Sequence, residues 1–248
     1  MTMIEQNRKR WWIEIAVVLA VAWLVPMLSA LASFTAGLSI SGGPVDQGPA
    51  SGDSLELAFQ TASSLQTLAP VLYIMWLSRR WMDFGVIRLR ALRDPGVAVL
   101  IVVGSLILYW VLAWFLYAAS SALDFSGYWL DAQSSQEWTT TTHDNGMPSA
   151  GPPLASLLVM LVANSFAEEF VFRGVQLDRF TRVLGSAHAG VWISSLLFAS
   201  YHMYQGAYGI VSALALGILA AYSMRLTKSI WPCVIAHTAL NALIMATS

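Results

Sequence analysis

Long apolar runs broken by short polar connections set the pattern of this chain. Predominantly apolar stretches cover residues 11–33, 57–78, 96–119, 154–173, 188–203, 207–224 and 230–247. Several approach the roughly 20 residues that carry a helix across a bilayer. The pattern predicts an all-α fold, a polytopic membrane helix bundle of about seven transmembrane helices. Pro26 is a candidate kink in the first run, and Trp231-Pro232 suits the start of the last. In the sixth run Ala213, Gly217 and Ala221 recur at fourfold spacing, which allows a close helix approach. A cleaved signal peptide is the rival reading of the first run, because Ala30-Leu31-Ala32 resembles a small-residue cleavage site. The run is longer than a usual signal core, which favours a retained anchor.

Charge gives this layout an orientation. Lys and Arg gather on the cytoplasmic side of membrane proteins. All 13 here fall before the first run, between the second and third, at the end of the fourth and beyond, or between the sixth and seventh. The intervening loops, 34–55, 120–152 and 203–208, hold none, and 120–152 is acidic through Asp124, Asp131, Glu137 and Asp144. The amino terminus is therefore expected inside and the carboxyl terminus outside, in a multi-pass protein of the cell (inner) membrane. With 57% hydrophobic and 11% charged residues the composition excludes an ordinary soluble domain. Lipid is the expected surrounding, Trp11, Trp12, Trp81 and Trp231 suit its interfaces, and no nucleic-acid partner is expected. The single Cys233 excludes an intrachain disulfide or a cysteine-rich metal site.

Against this apolar background a few polar groups stand out. The fourth run, LASLLVMLVANSFAEEFVFR, ends with Glu168, Glu169 and Arg173. Ionisable groups at membrane depth are costly and mark candidate functional sites. Glu169 and Arg173 stand one helical turn apart and can pair, whereas Glu168 points elsewhere. Taken alone, all three would suit a cytoplasmic interface with snorkelling side chains. Two further runs carry polar residues at fourfold spacing: Phe198 with His202, and His237 with Asn241. A water-filled cavity between these helices is the cheapest way to solvate all three. By helix rise, His202 lies roughly 20 Å into its run and His237 roughly 10 Å into its own. They can meet only if the fifth run begins in the cytosol and the turn MYQGAYG, residues 203–209, is recessed into the bundle.

Glutamate, two histidines and an asparagine suffice for peptide hydrolysis. A desolvated glutamate takes a proton from water, a histidine shares or relays it, and histidine and asparagine donors stabilise the oxyanion. The competing arrangement is zinc held by Glu168, His202 and His237. HExxH is absent, so that route has no local signature. His143 and His188 fit loop or interface positions, and Cys233 fits packing.

EEFVFR at 168–173, FASYH at 198–202 and HTALN at 237–241 match EExxxR, FxxxH and HxxxN in order, each in an apolar run. Together they resemble the CAAX-protease and bacteriocin-processing (CPBP) family of glutamic-type intramembrane proteases, historically labelled metalloproteases. The resemblance covers residues 153–247, and residues 1–152 match only as amino-terminal membrane helices. It implies an active-site cavity within the bilayer that opens toward the cytosol. Glu168 would be the water-activating glutamate and His202 the second catalytic group. Glu169 and Arg173 would form a structural ion pair, and His237 with Asn241 an oxyanion site. The expected activity is an intramembrane endopeptidase without a cofactor, zinc being the alternative. Its expected substrate is a membrane-associated polypeptide, prenylated or leader-bearing. A catalytically silent binding or immunity scaffold and a proton-coupled transporter are the rival functions; no inverted repeat supports the latter.

Overall fold

The computed structural model describes residues 3–20, 86, 89–122 and 154–247. The expected second run, the later part of the first, most of loops 34–55 and 120–152, and His143 lie outside the described residues. Among those described there are six helices and no strand: α1 (Met3–Val18), α2 (Arg93–Ala122), α3 (Leu154–Leu184), α4 (Ala187–Tyr201), α5 (Gly206–Thr227) and α6 (Trp231–Thr247). Three of them, α2, α3 and α5, are long and apolar enough to cross a membrane. The apolar helix α6 is shorter.

Helix α2 is apolar all round and leaves Trp110 and Trp114 exposed, as a lipid-facing helix does. Its inner side, with Ala98 and Ile101, joins the main core. The start of α2 is tied down by polar contacts. Asp94 is fully buried, accepts from the Arg90 backbone N–H at 2.9 Å, and accepts from Ser229 Oγ at 2.9 Å. Ser229 lies in the connection from α5 to α6, where Lys228 adopts the left-handed conformation that ends α5. Trp231 adds an indole N–H bond to the Val86 carbonyl at 2.9 Å. These bonds fix the entry of α6, and so the height of His237, against the amino-terminal half of the chain.

Helix α3 runs past the expected end at Arg173. An α-helical stretch to Glu169 gives way to a π-helical segment, Phe170–Gln176, and the α-helix resumes to Leu184. Wide turns of this kind inside α-helices are frequent at functional sites. Gly185, at φ 66°, closes α3 in the left-handed region, and Ser186 caps α4 by accepting the Ala189 N–H. The resulting hairpin is tight. Gly190 of α4 faces the Thr181 backbone so closely that a methyl group there would lie 3.0 Å from the Thr181 nitrogen.

The small-residue face of α5 packs as its spacing predicts. Ala213, Gly217 and Ala221 are buried, and Gly217 lies against Ser195 and Phe198 of α4. Helix α6 packs against α2, α3 and α5. At the other end, α1 docks on the last turns of α3. Ile15 meets Phe180 and Val183, and Arg179 Nε donates to Glu14 Oε2.

Candidate active site

Three helices deliver the polar residues singled out above. Glu168 comes from the end of the first α-helical stretch of α3, His202 from the C-cap of α4, and His237 from the second turn of α6. Their nearest ligand atoms all lie within 4.8 Å of one another. Glu168 Oε2 stands 3.7 Å from His202 Nε2 and 3.9 Å from His237 Nε2. The spacing leaves no direct hydrogen bond between them, and Glu168 Oε2 is buried without a hydrogen-bond partner.

Each ring is oriented from behind. His202 Nδ1 lies 2.9 Å from the Phe198 carbonyl oxygen. A carbonyl only accepts, so Nδ1 carries the proton and Nε2 faces Glu168. Phe198 therefore contributes its backbone to the histidine and its ring to the packing beneath, with centroids 4.6 Å apart. His237 Nδ1 lies 2.9 Å from Glu169 Oε1. That bond was not legible in the spacing, which pairs Glu169 with Arg173.

The Glu169–Arg173 pair also forms, with Arg173 Nε 3.1 Å from Glu169 Oε2. It is an ion pair rather than an aligned hydrogen bond, since Glu169 Oε2 and both terminal nitrogens of Arg173 lack hydrogen-bond partners. The guanidinium carbon rests 4.0 Å from the centre of the Phe198 ring, which supplies a cation–π contact. With Glu169 0% and Arg173 2% exposed, neither side chain snorkels. Both sit in the core, where burying one without the other would be costly.

Asn241, one turn beyond His237, is half-buried on the same helix. In the turn after His202, Gly206 and Gly209 are buried, and Gln205 is half-buried. His188 is exposed and bonded to Tyr222 Oη at 2.9 Å, and the buried Cys233 thiol points at the Ala220 carbonyl. Neither belongs to the cluster. One neighbour escaped the sequence reading: Asn164 Nδ2 donates to Glu168 Oε1 at 2.9 Å. Its signal was the fourfold spacing from Glu168 along α3.

Residues 150–243 match the family model described as type II CAAX prenyl endopeptidase Rce1-like. Over that stretch the chain is similar to the CPBP family. The matched stretch includes Glu168, Glu169, Arg173, His202, His237 and Asn241, and the family is one of proteases. No curated protein and no solved structure matches the chain. The apolar helices and the family together mark a membrane protein.

Proposed function

We propose that the chain is an intramembrane endopeptidase in which Glu168 and His202 activate water and His237 with Asn241 stabilises the oxyanion. The observation that carries this reading is the convergence of Glu168 Oε2, His202 Nε2 and His237 Nε2, with the carboxylate oxygen buried and unpartnered. A water held there gives its proton to Glu168 Oε2, and its oxygen bonds to the scissile carbonyl carbon while the carbonyl electron pair moves onto oxygen. His237, its Nδ1 held by Glu169, presents Nε2 to the site, where it and Asn241 stabilise the oxyanion. Collapse of the tetrahedral intermediate breaks the C–N bond, and the amine leaves with the proton taken from the water, relayed through Glu168 or His202.

The Rce1-like match supports a prenylated polypeptide that reaches the site from the membrane as the substrate, a leader-bearing peptide being the other candidate. The seven-span layout, with the amino terminus in the cytoplasm and the bundle in the cell membrane, belongs to this proposal. An internally quenched, prenylated CAAX-box peptide supplied to the full chain in lipid nanodiscs is the test. Cleavage by the wild type and none by Glu168→Gln is expected. Equal cleavage by both, or none by either, would overturn the assignment.

A metal-dependent version is favoured by one feature. Both histidines have Nδ1 engaged, as metal-ligating histidines usually do, and both present Nε2 to one carboxylate oxygen. Glu168, His202 and His237 thus fit a divalent ion such as zinc, which when bound would polarise the carbonyl and acidify water. In that case Glu169 and the Phe198 carbonyl would orient the ligands.

A further inference from the structure

A carboxylate that serves as a base acts through one oxygen at a time. If the side chain rotates freely about its last bond, the two oxygens exchange and the productive geometry is held only part of the time. Glu168 is not in that state, because its oxygens have different environments. Oε1 accepts the amide N–H of Asn164 at 2.9 Å, one turn back on the same helix. Oε2 is buried, has no hydrogen-bond partner, and faces Nε2 of both histidines at 3.7 and 3.9 Å. We infer that Asn164 is a positioning residue that pins Glu168 by Oε1 so that Oε2 is presented to the reacting water.

The inference rests on the peptidase reading above and adds to it a residue outside the three motifs. Only the amide edge of Asn164 can serve: its carbonyl edge would set two acceptors against each other. The sense of the amide therefore follows from the contact. The bond also lies within one regular α-helical turn, before the π-helical segment begins at Phe170, so it is independent of the wider turn that follows. Partners that orient metal ligands from behind typically change activity 10–100-fold when removed, and an effect of that order is expected for a side chain that orients a catalytic carboxylate.

The test uses the full chain in nanodiscs with the quenched prenylated peptide as probe, and infrared difference spectra between each protein and its Glu168→Gln counterpart. The difference isolates the Glu168 carboxyl band. Asn164→Leu keeps the shape and removes the donor. It should lower kcat roughly 10–100-fold with KM little changed, and it should shift the Glu168 band. Asn164→Gln, which returns an amide on a longer stem, should recover part of both. A folded Asn164→Leu protein with wild-type kcat, or with an unshifted band, overturns the inference. Should the leucine variant not fold, Asn164→Asp has the same shape and carries an acceptor in place of the donor. It must show the same loss and band shift, and retention of either overturns the inference. Failure of the wild type to cleave any prenylated probe would remove the peptidase reading and the catalytic part of the inference with it. The band shift separates that result from an Asn164 that never touches Glu168.

Discussion

His237 Nδ1 stands 2.9 Å from Glu169 Oε1, so the second glutamate of the pair joins Arg173 on its own helix to a histidine on another. The two adjacent glutamates therefore differ in kind. Glu168 turns an unpartnered oxygen to the cluster, while Glu169 is enclosed between a guanidinium and an imidazole.

Glu168→Gln is expected to abolish turnover and leave the protein folded and able to bind substrate, since the amide keeps the shape and loses the basicity. Glu169→Gln strands Arg173 and releases His237, so stability should fall by about 3–5 kcal/mol along with activity. Arg173→Ala should resemble it. Thermal unfolding and peptide cleavage measured side by side give the answer. A stable, inactive Glu169→Gln beside an active Glu168→Gln would show the roles reversed.

Metal dependence has its own measurement. Activity is expected to survive prolonged chelation, because HExxH and a thiolate cluster are both absent from the sequence and an unaided carboxylate–histidine pair accounts for the proposed proton transfers. Stoichiometric zinc in the active protein, lost with activity on chelation and restored with it, would establish the cation as the organising centre of Glu168, His202 and His237.

Much of this arrangement could be read before any fold was known. The fifth, sixth and seventh runs, read as 188–203, 207–224 and 230–247, became Ala187–Tyr201, Gly206–Thr227 and Trp231–Thr247 because polar turns end these apolar segments abruptly. The meeting of Glu168, His202 and His237 was legible for a similar reason: isolated polar groups in apolar helices must find one another or water. What stayed hidden depends on register between helices. Neither the wide turns of Phe170–Gln176 nor the Glu169–His237 bond has a spacing that announces it. Glu14 and Arg179 are separated by most of the chain, and a charge at the mouth of an apolar run reads equally well as an interface residue.

Orientation is tested by reporters. A fusion after Ser248 is expected to read extracytoplasmic and one near Arg90 cytoplasmic, from the segregation of the 13 basic residues. The opposite result at both positions would remove the seven-span proposal.

Gly190→Ala probes the α3–α4 hairpin that sets the approach of His202. The added methyl would lie 3.0 Å from the Thr181 nitrogen and 3.1 Å from its Cα, and backbone cannot swing aside as a side chain can. A loss of about 1–3 kcal/mol is expected. Gly96→Ala, with open space around the new methyl, is the control and should be close to neutral. Equal unfolding temperatures for the two variants would show that the hairpin accommodates the methyl without strain.

The last expectation concerns how α1 is held. Glu14 accepts from Arg179, and Arg10 donates to the other Glu14 oxygen at 2.9 Å. Asp178 pairs with both Arg179 and Arg182. Arg179 and Glu14 have side chains only 4% and 9% exposed, and removing either leaves the other with its remaining partner, Asp178 for Arg179 and Arg10 for Glu14. Glu14→Leu should therefore destabilise the protein by about 1.5–3 kcal/mol, the loss of one charged hydrogen bond, and Arg179→Met likewise. The double variant replaces the pair with apolar groups and should regain most of that loss, because well-packed hydrophobic residues often match a buried ion pair. The same cycle reports on the cluster from a distance, since Arg179 follows Arg173 on α3 and its release would free the end of the helix that carries Glu168 and Glu169. Cleavage activity should fall in both single variants and return in the double variant. Additive losses in the double variant would mean that Glu14 and Arg179 stabilise α1 independently, and that the ion pair is not what fastens α1 to the motif-bearing core.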